Sequence, residues 1–155
     1  MVELEQFKRI IRAAGVGGMR VLEIGAGHGE ITQLILDEHP AQLRAYEVER
    51  GLCTLKHELL DLRERPFTFD EALGMRGWSI ISAPPYCLLG TIREALKWLA
   101  PPRAVLLVPT HAVPAFSDFD VFCTLDGSIA FSPPSKGEHA IVYRGFGLPD
   151  VQAGV

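Results

Sequence analysis

Three glycines and two acids carry the first chemistry in this chain. In "VLEIGAGHGEIT", Gly25, Gly27 and Gly29 stand between an apolar run and an amphipathic one, and Glu23 comes just before them. Glycines between a strand and a helix permit positive φ and let a ligand approach the backbone closely. The spacing is G-x-G-x-G, whereas dinucleotide sites use G-x-G-x-x-G, and Glu30 stands where their third glycine belongs. A pyrophosphate would meet the carboxylates of Glu23 and Glu30, so a cationic ligand suits the loop better. Glu47 ends the next apolar run, "LRAYEVE". A carboxylate at that position can accept both ribose hydroxyls of an adenosine. S-adenosylmethionine combines an adenosine with an ammonium and a sulfonium. We expect it to contact Glu23, Gly25, Ala26, Gly27, Glu47 and Val48.

A second chemical stretch is "IISAPPYCLL", in which Ala83-Pro84-Pro85-Tyr86 follows a β-like run. Alone, Pro-Pro-Tyr would be a rigid turn capped by a core aromatic. After the fourth strand of an α/β sheet, the same loop should line a pocket at the C-terminal sheet edge. Cys87 could act as a cytosine-attacking thiolate, but the Pro-Cys pair of such sites is missing, and a core or pocket-wall place fits it better. His28 lies inside the glycine loop, where it lines the cofactor or faces solvent. His39, His57, His111 and His139 show no ligand spacing with the cysteines, so no metal is expected. No Ser-His-Asp constellation is legible.

These residues need a scaffold, and the chain alternates strand-like and helix-like runs. Leu4, Phe7, Ile10, Ile11 and Ala14 recur at helical spacing, and Gly15, Gly17 and Gly18 end that helix. "RVLEIGAG" reads as a strand, "EITQLILDEH" as a helix stopped by Pro40, and "LRAYEVE" as a strand. "LCTLKHELLDL" has helical spacing, "FTFD" is a brief strand and "WSIISA" another. "TIREALKWLA" is a helix and "RAVLLVP" a fifth strand. This order predicts a parallel α/β sheet in one domain spanning 1–155. After Pro109, "DFDVFCTLDGSIAF" and "HAIVYRGFG" follow one another with no helix between them, which predicts an antiparallel C-terminal hairpin at one sheet edge. Trp78 and Trp98 are expected in the core, and "LPDVQAGV" as a loose tail.

Composition narrows the classes. The chain has 155 residues, 48% hydrophobic and 22% charged, an ordinary globular balance. No apolar run approaches the ~20 residues that cross a bilayer, and "MVELEQFKRI" lacks the apolar core of a signal peptide. Cys53, Cys87 and Cys123 are odd in number and far apart, which suggests buried, reduced thiols and a cytoplasmic protein. Fifteen Lys and Arg against 19 Asp and Glu leave a mildly acidic chain. Nucleic-acid binders draw most of their affinity from phosphate contacts. The basic groups here, Lys8-Arg9-Arg12, Arg63/Arg65 and Arg93/Lys97, read as solvated faces. An RNA would be gripped weakly by this chain alone, which leaves room for a helper subunit or a homo-oligomer.

Together these motifs resemble those of the ribosomal RNA adenine dimethyltransferases and the macrolide-resistance methylases. "VLEIGAGHGEIT" is similar to their first motif and "AYEVE" to their second. "FDEAL" resembles the segment after their third strand, which implies that Asp70, followed by Glu71, contacts the cofactor's adenine. "SAPPY" occupies the place of their Asn-x-Pro-Tyr/Phe, and "FSPPSKGEHAIVYRG" resembles their late hairpin. The likeness covers about residues 19–146. It implies a Rossmann-like methyltransferase fold, S-adenosylmethionine as cofactor, and methyl transfer to an adenine amino group in RNA. We expect the family's C-terminal helical domain and basic N-terminal arm to be absent, and the chain after Pro109 is shorter than the family pattern.

The main departure is Ala83, which stands where the family has Asn. An adenine amino nitrogen is a poor nucleophile because its lone pair is delocalised into the ring. In the family's arrangement an acceptor side chain and the next carbonyl, here that of Pro84, hold the two amino hydrogens, while the aromatic, here Tyr86, stacks on the flipped base. Alanine supplies no acceptor. Ser82, expected beside the cofactor, is a replacement acceptor, although strand alternation turns it away from the side of Ala83. Two rival functions remain open. One is a methyltransferase for a small molecule or a protein; the other is a cofactor- or RNA-binding module with little turnover.

Overall fold

The computed structural model describes residues 2–25, 29–47, 58–59, 74–84, 86, 89–125 and 137–148. Helix α1 (Val2–Ala14) precedes strand β1 (Arg20–Ile24), helix α2 (Glu30–Leu36), β2 (Gln42–Glu47) and β3 (Glu58–Leu59). Then come β4 (Ser79–Ser82), α3 (Leu89–Leu99), β5 (Ala104–Pro109), a 3₁₀ segment (Thr110–Phe116), β6 (Asp120–Leu125) and β7 (His139–Arg144).

The strands form one sheet in the order β3-β2-β1-β4-β5-β7-β6. The first five are mutually parallel, while β7 runs antiparallel to both β5 and β6. The mostly parallel sheet and the C-terminal antiparallel pair are those expected from the alternation of elements. Parallel strands covered on both faces bury every side chain, and β5 does so along its whole length. On one face, Phe7, Ile10, Ile11 and Ala14 of α1 pack with Ile31 and Ile35 of α2 over Val21, Ile81, Val105 and Ile141. On the other, Ile92, Ala95, Leu96 and Leu99 of α3 join Trp78 and Phe116 over Leu22, Ile24, Ile80 and Leu106. Alternation along β1 and β4 therefore assigns Val21 and Ile81 to the α1/α2 face and Leu22 and Ile80 to the α3 face.

Several sequence expectations need correction. Glu58 and Leu59 fall in the run with helical spacing, yet they pair as a strand with Tyr46 and Glu47. The edge of β2 offers unpaired backbone groups, and periodicity takes no account of them. Helix α2 ends at Leu36, short of His39, with Asp37 as its cap. His39 adopts φ 55, a left-handed conformation in which histidine is enriched among non-glycine residues. Trp98 is half exposed on α3, whereas Trp78 is buried as expected. Cys123 is half-buried on β6, and burial pushes its thiol up. The 3₁₀ segment, anchored by Phe116 in the core, fills a stretch that periodicity does not mark. Among the described residues, no helix is long and apolar enough to cross a membrane. "FTFD", Cys53, Cys87 and His28 lie outside the described residues.

Candidate cofactor and acceptor site

The order of strands locates the site. From β1 the chain moves outward to β2 and β3, then returns to lay β4 on the other side of β1. Connections leave the C-terminal ends of β1 and β4 in opposite directions, and the crevice between them is where parallel α/β sheets bind ligands. The register sharpens this. Ile24 pairs with Tyr46 of β2, and Leu22 pairs with Ile80 of β4. Continuing both registers past the strand ends places Gly25 between Glu47 and Ala83. Residues from three separate motifs thus share one row along the sheet edge.

Gly25 has φ 82 and is half-buried. Only glycine takes that conformation without penalty, and it puts no side chain at the head of the crevice. Gly29 opens α2 with φ 96. Ala26 and Gly27 lie outside the described residues, as do Val48, Asp70 and Glu71. Glu47 closes β2, where its backbone pairs with Leu59.

Glu23, next to last in β1, is buried rather than open to solvent. It is 1% exposed, and Thr32 Oγ1 donates to its Oε2 at 2.6 Å. Thr32 lies in the first turns of α2, so this bond fastens the helix to the strand across the loop that joins them. A buried carboxylate at a strand end is costly unless hydrogen-bonded, and Thr32 supplies one such bond. Sequence reasoning missed Thr32. Its signal is a lone hydroxyl among the isoleucines of the buried stripe of α2.

The Ser82 hydroxyl donates to the Ile24 carbonyl, which ties the end of β4 to the last residue of β1. This agrees with the alternation that turns Ser82 away from the side of Ala83. The bond holds the two lips of the crevice together. Ala83 and Pro84 are both buried, and Ala83 packs in the apolar cluster of the α1/α2 face. Tyr86 is half-buried; burial pushes its phenol far above the usual tyrosine range and keeps it neutral. Its hydroxyl meets Nδ1 of His139 in a hydrogen bond. His139 has no ligand spacing in sequence, and only the return of β7 beside β5 brings it to this edge.

Three of the basic groups named above have partners. Arg12 faces Glu38 at 3.9 Å, Lys97 meets Glu94 at 2.9 Å, and Arg9 lies over the Phe122 ring. Arg63 and Arg65 lie outside the described residues. Among the described residues, no group of His, Cys, Asp and Glu could hold a metal ion.

Comparison with known proteins decides the family. No family profile matches the chain. It is 31% identical over 122 residues to the ribosomal RNA small subunit methyltransferase A of Helicobacter pylori strain P12, an alignment covering 74% of the chain and 42% of that protein. The same enzyme from strain J99 is 31% identical over 133 residues, or 80% of the chain and 46% of that protein. The chain belongs to the ribosomal RNA adenine dimethyltransferase family. It spans less than half the length of these curated relatives. Solved structures agree on the fold. The 23S rRNA methyltransferase ErmE superposes with a TM-score of 0.65 at 18% identity, covering 96% of the chain and 72% of ErmE. A dimethyladenosine transferase from Plasmodium falciparum gives a TM-score of 0.66 at 18% identity, covering 88% and 59%. The architecture is the Rossmann-like fold of S-adenosylmethionine-dependent methyltransferases.

The site suits the family's cofactor, S-adenosylmethionine. Gly25, with φ 82 and no side chain, leaves space at the end of β1, and the register sets Glu47 beside it in the row.

Proposed function

We propose that this chain binds S-adenosylmethionine in the β1–β4 crevice and transfers its methyl group to an adenine amino group in RNA. The row Glu47–Gly25–Ala83, continued by Pro84 and Tyr86, carries this reading. When bound, the cofactor would supply an electrophilic methyl carbon, its sulfonium keeping the electron pair of the broken S–C bond and leaving as a neutral thioether. Gly25 leaves room for it, and Glu47 accepts from its ribose hydroxyls. Across the crevice, the Pro84 carbonyl accepts one hydrogen of the target amino group and the Tyr86 ring stacks on the base. Rate enhancement then comes mainly from holding the nucleophile in line. The nitrogen sheds its surplus proton to solvent once the new bond has formed.

Ala83 favours a second reading. Its methyl is buried among apolar side chains and offers no acceptor. Losing one transition-state hydrogen bond costs ~3–4 kcal/mol, about 10²–10³ in rate. A module that binds cofactor with little turnover, or a methyltransferase for another acceptor, is compatible with that loss.

One comparison separates these functions. The native chain, Ala83→Asn and Tyr86→Ala are assayed with labelled cofactor at equal occupancy on an unstructured, adenine-containing RNA. The reading expects measurable adenine methylation, faster in Ala83→Asn and lost in Tyr86→Ala. Robust native methylation that Tyr86→Ala leaves untouched would refute the loop as the acceptor site. Cofactor binding without turnover in any variant would establish the binding module.

A further inference from the structure

His139 opens β7, opposite Pro109 of β5 and Leu125 of β6. It is 1% exposed, at a place in the sheet where Ala140, Ile141 and Val142 pack as ordinary apolar residues. A buried imidazole forfeits its hydration on both nitrogens and must find partners inside the protein. Here Nδ1 meets the Tyr86 hydroxyl, while Nε2 is buried with no partner among the described residues. Among the described residues, the Tyr86 bond is thus the polar contact that offsets burying this ring. The two rings stand 5.6 Å apart, centre to centre, tilted by 36°. That separation is the one an end-on contact through the hydroxyl gives, so the imidazole meets Tyr86 at the far end of its ring.

The position of Tyr86 explains why such a tether matters. It stands beyond the end of β4, outside the strand ladders of the described residues. A tyrosine ring there is free to turn about its side-chain torsions unless its far end is held. We infer that His139 is a positioning residue for the acceptor loop: through Nδ1 it anchors the Tyr86 phenol and sets the plane of that ring. This deepens the function proposed above, in which the same ring stacks on the methyl-accepting base. The tether joins β7 to the loop after β4, so the C-terminal hairpin shapes the acceptor side of the crevice.

The test compares the native chain with His139→Leu, His139→Asn, Tyr86→Phe and the His139→Leu/Tyr86→Phe double variant. Asparagine offers an amide near the place of Nδ1, and leucine keeps bulk without polarity. Two readouts need neither cofactor nor turnover. In nitrogen NMR, the His139 Nδ1 resonance should move in Tyr86→Phe. In carbon relaxation of a labelled Tyr86 ring, motion should increase in His139→Leu and return toward native in His139→Asn. For turnover on single-stranded adenine-containing RNA, kcat should fall at least tenfold in His139→Leu while cofactor affinity stays within twofold. His139→Asn should recover most of it, and the double variant should be no slower than His139→Leu. An unmoved Nδ1 resonance, a Tyr86 ring equally rigid in His139→Leu, no rescue by asparagine, or losses that multiply in the double variant would each overturn the inference. If the native chain fails to methylate the RNA, the proposed function falls, and the two NMR measurements still decide whether His139 holds Tyr86.

Discussion

Replacing Thr32 by valine isolates the bond that fastens α2 to β1. The two side chains are nearly isosteric, so the change removes a hydroxyl without opening a cavity. Thr32 is 4% exposed and Glu23 1% exposed, so water cannot readily replace the lost donor. The oxygen–oxygen separation of 2.6 Å is that of a hydroxyl donating to a carboxylate. Hydrogen bonds to charged groups contribute ~1.5–3 kcal/mol, and an unmet buried acceptor incurs a cost of similar size. Glu23 has a further interaction, which moderates the loss. We expect Thr32→Val to lower stability by about 2 kcal/mol, or ~4–8 °C in Tm for a domain of this size. Urea denaturation at constant m-value is the assay. Glu23→Gln should also destabilise, and the double variant should cost less than the sum of the singles because the two share one bond. A Thr32→Val loss under ~0.5 kcal/mol, or strictly additive effects, would show that the bond does not stabilise the strand–loop–helix unit.

Two further outcomes are expected. Glu47→Ala should weaken S-adenosylmethionine binding by ~1.5–3 kcal/mol, measured by calorimetry, because it removes a charge-assisted acceptor; an unchanged affinity would mean that the row at the sheet edge does not receive the ribose. Gly145→Ala should destabilise the fold by several kcal/mol, since Gly145 has φ 95 and an added Cβ would stand 2.0 Å from the Pro102 carbonyl oxygen; a thermal midpoint within ~2 °C of native would refute the close crossing of these two segments.

Much of the fold was legible because it follows from local pattern. The stripe of Phe7, Ile10, Ile11 and Ala14 could bury only as a helix, and the unbroken apolar run of β5 only as an interior strand. The positive φ of Gly25 and Gly29 between β1 and α2 was legible too, because a tight strand-to-helix turn needs glycine there. Glu58 and Leu59 show the limit: their spacing is helical, but the open edge of β2 recruits them as a strand. Trp98 shows another, since amphipathic spacing cannot say that one large aromatic stays on the outer face of α3.

What the residues alone determined is which groups stand ready: glycines between β1 and α2, an aromatic after β4, and an alanine where the resemblance places the family's Asn. Which side chains meet was decided only in three dimensions. Thr32 reaches Glu23 because α2 folds back over β1, Ser82 reaches Ile24 because β4 returns beside β1, and His139 reaches Tyr86 because β7 pairs antiparallel to β5. The last two contacts join residues far apart in the chain, and all three depend on how the sheet and its helices pack. No periodicity or spacing encodes that packing, because it is the burial of two apolar faces that brings these polar groups together.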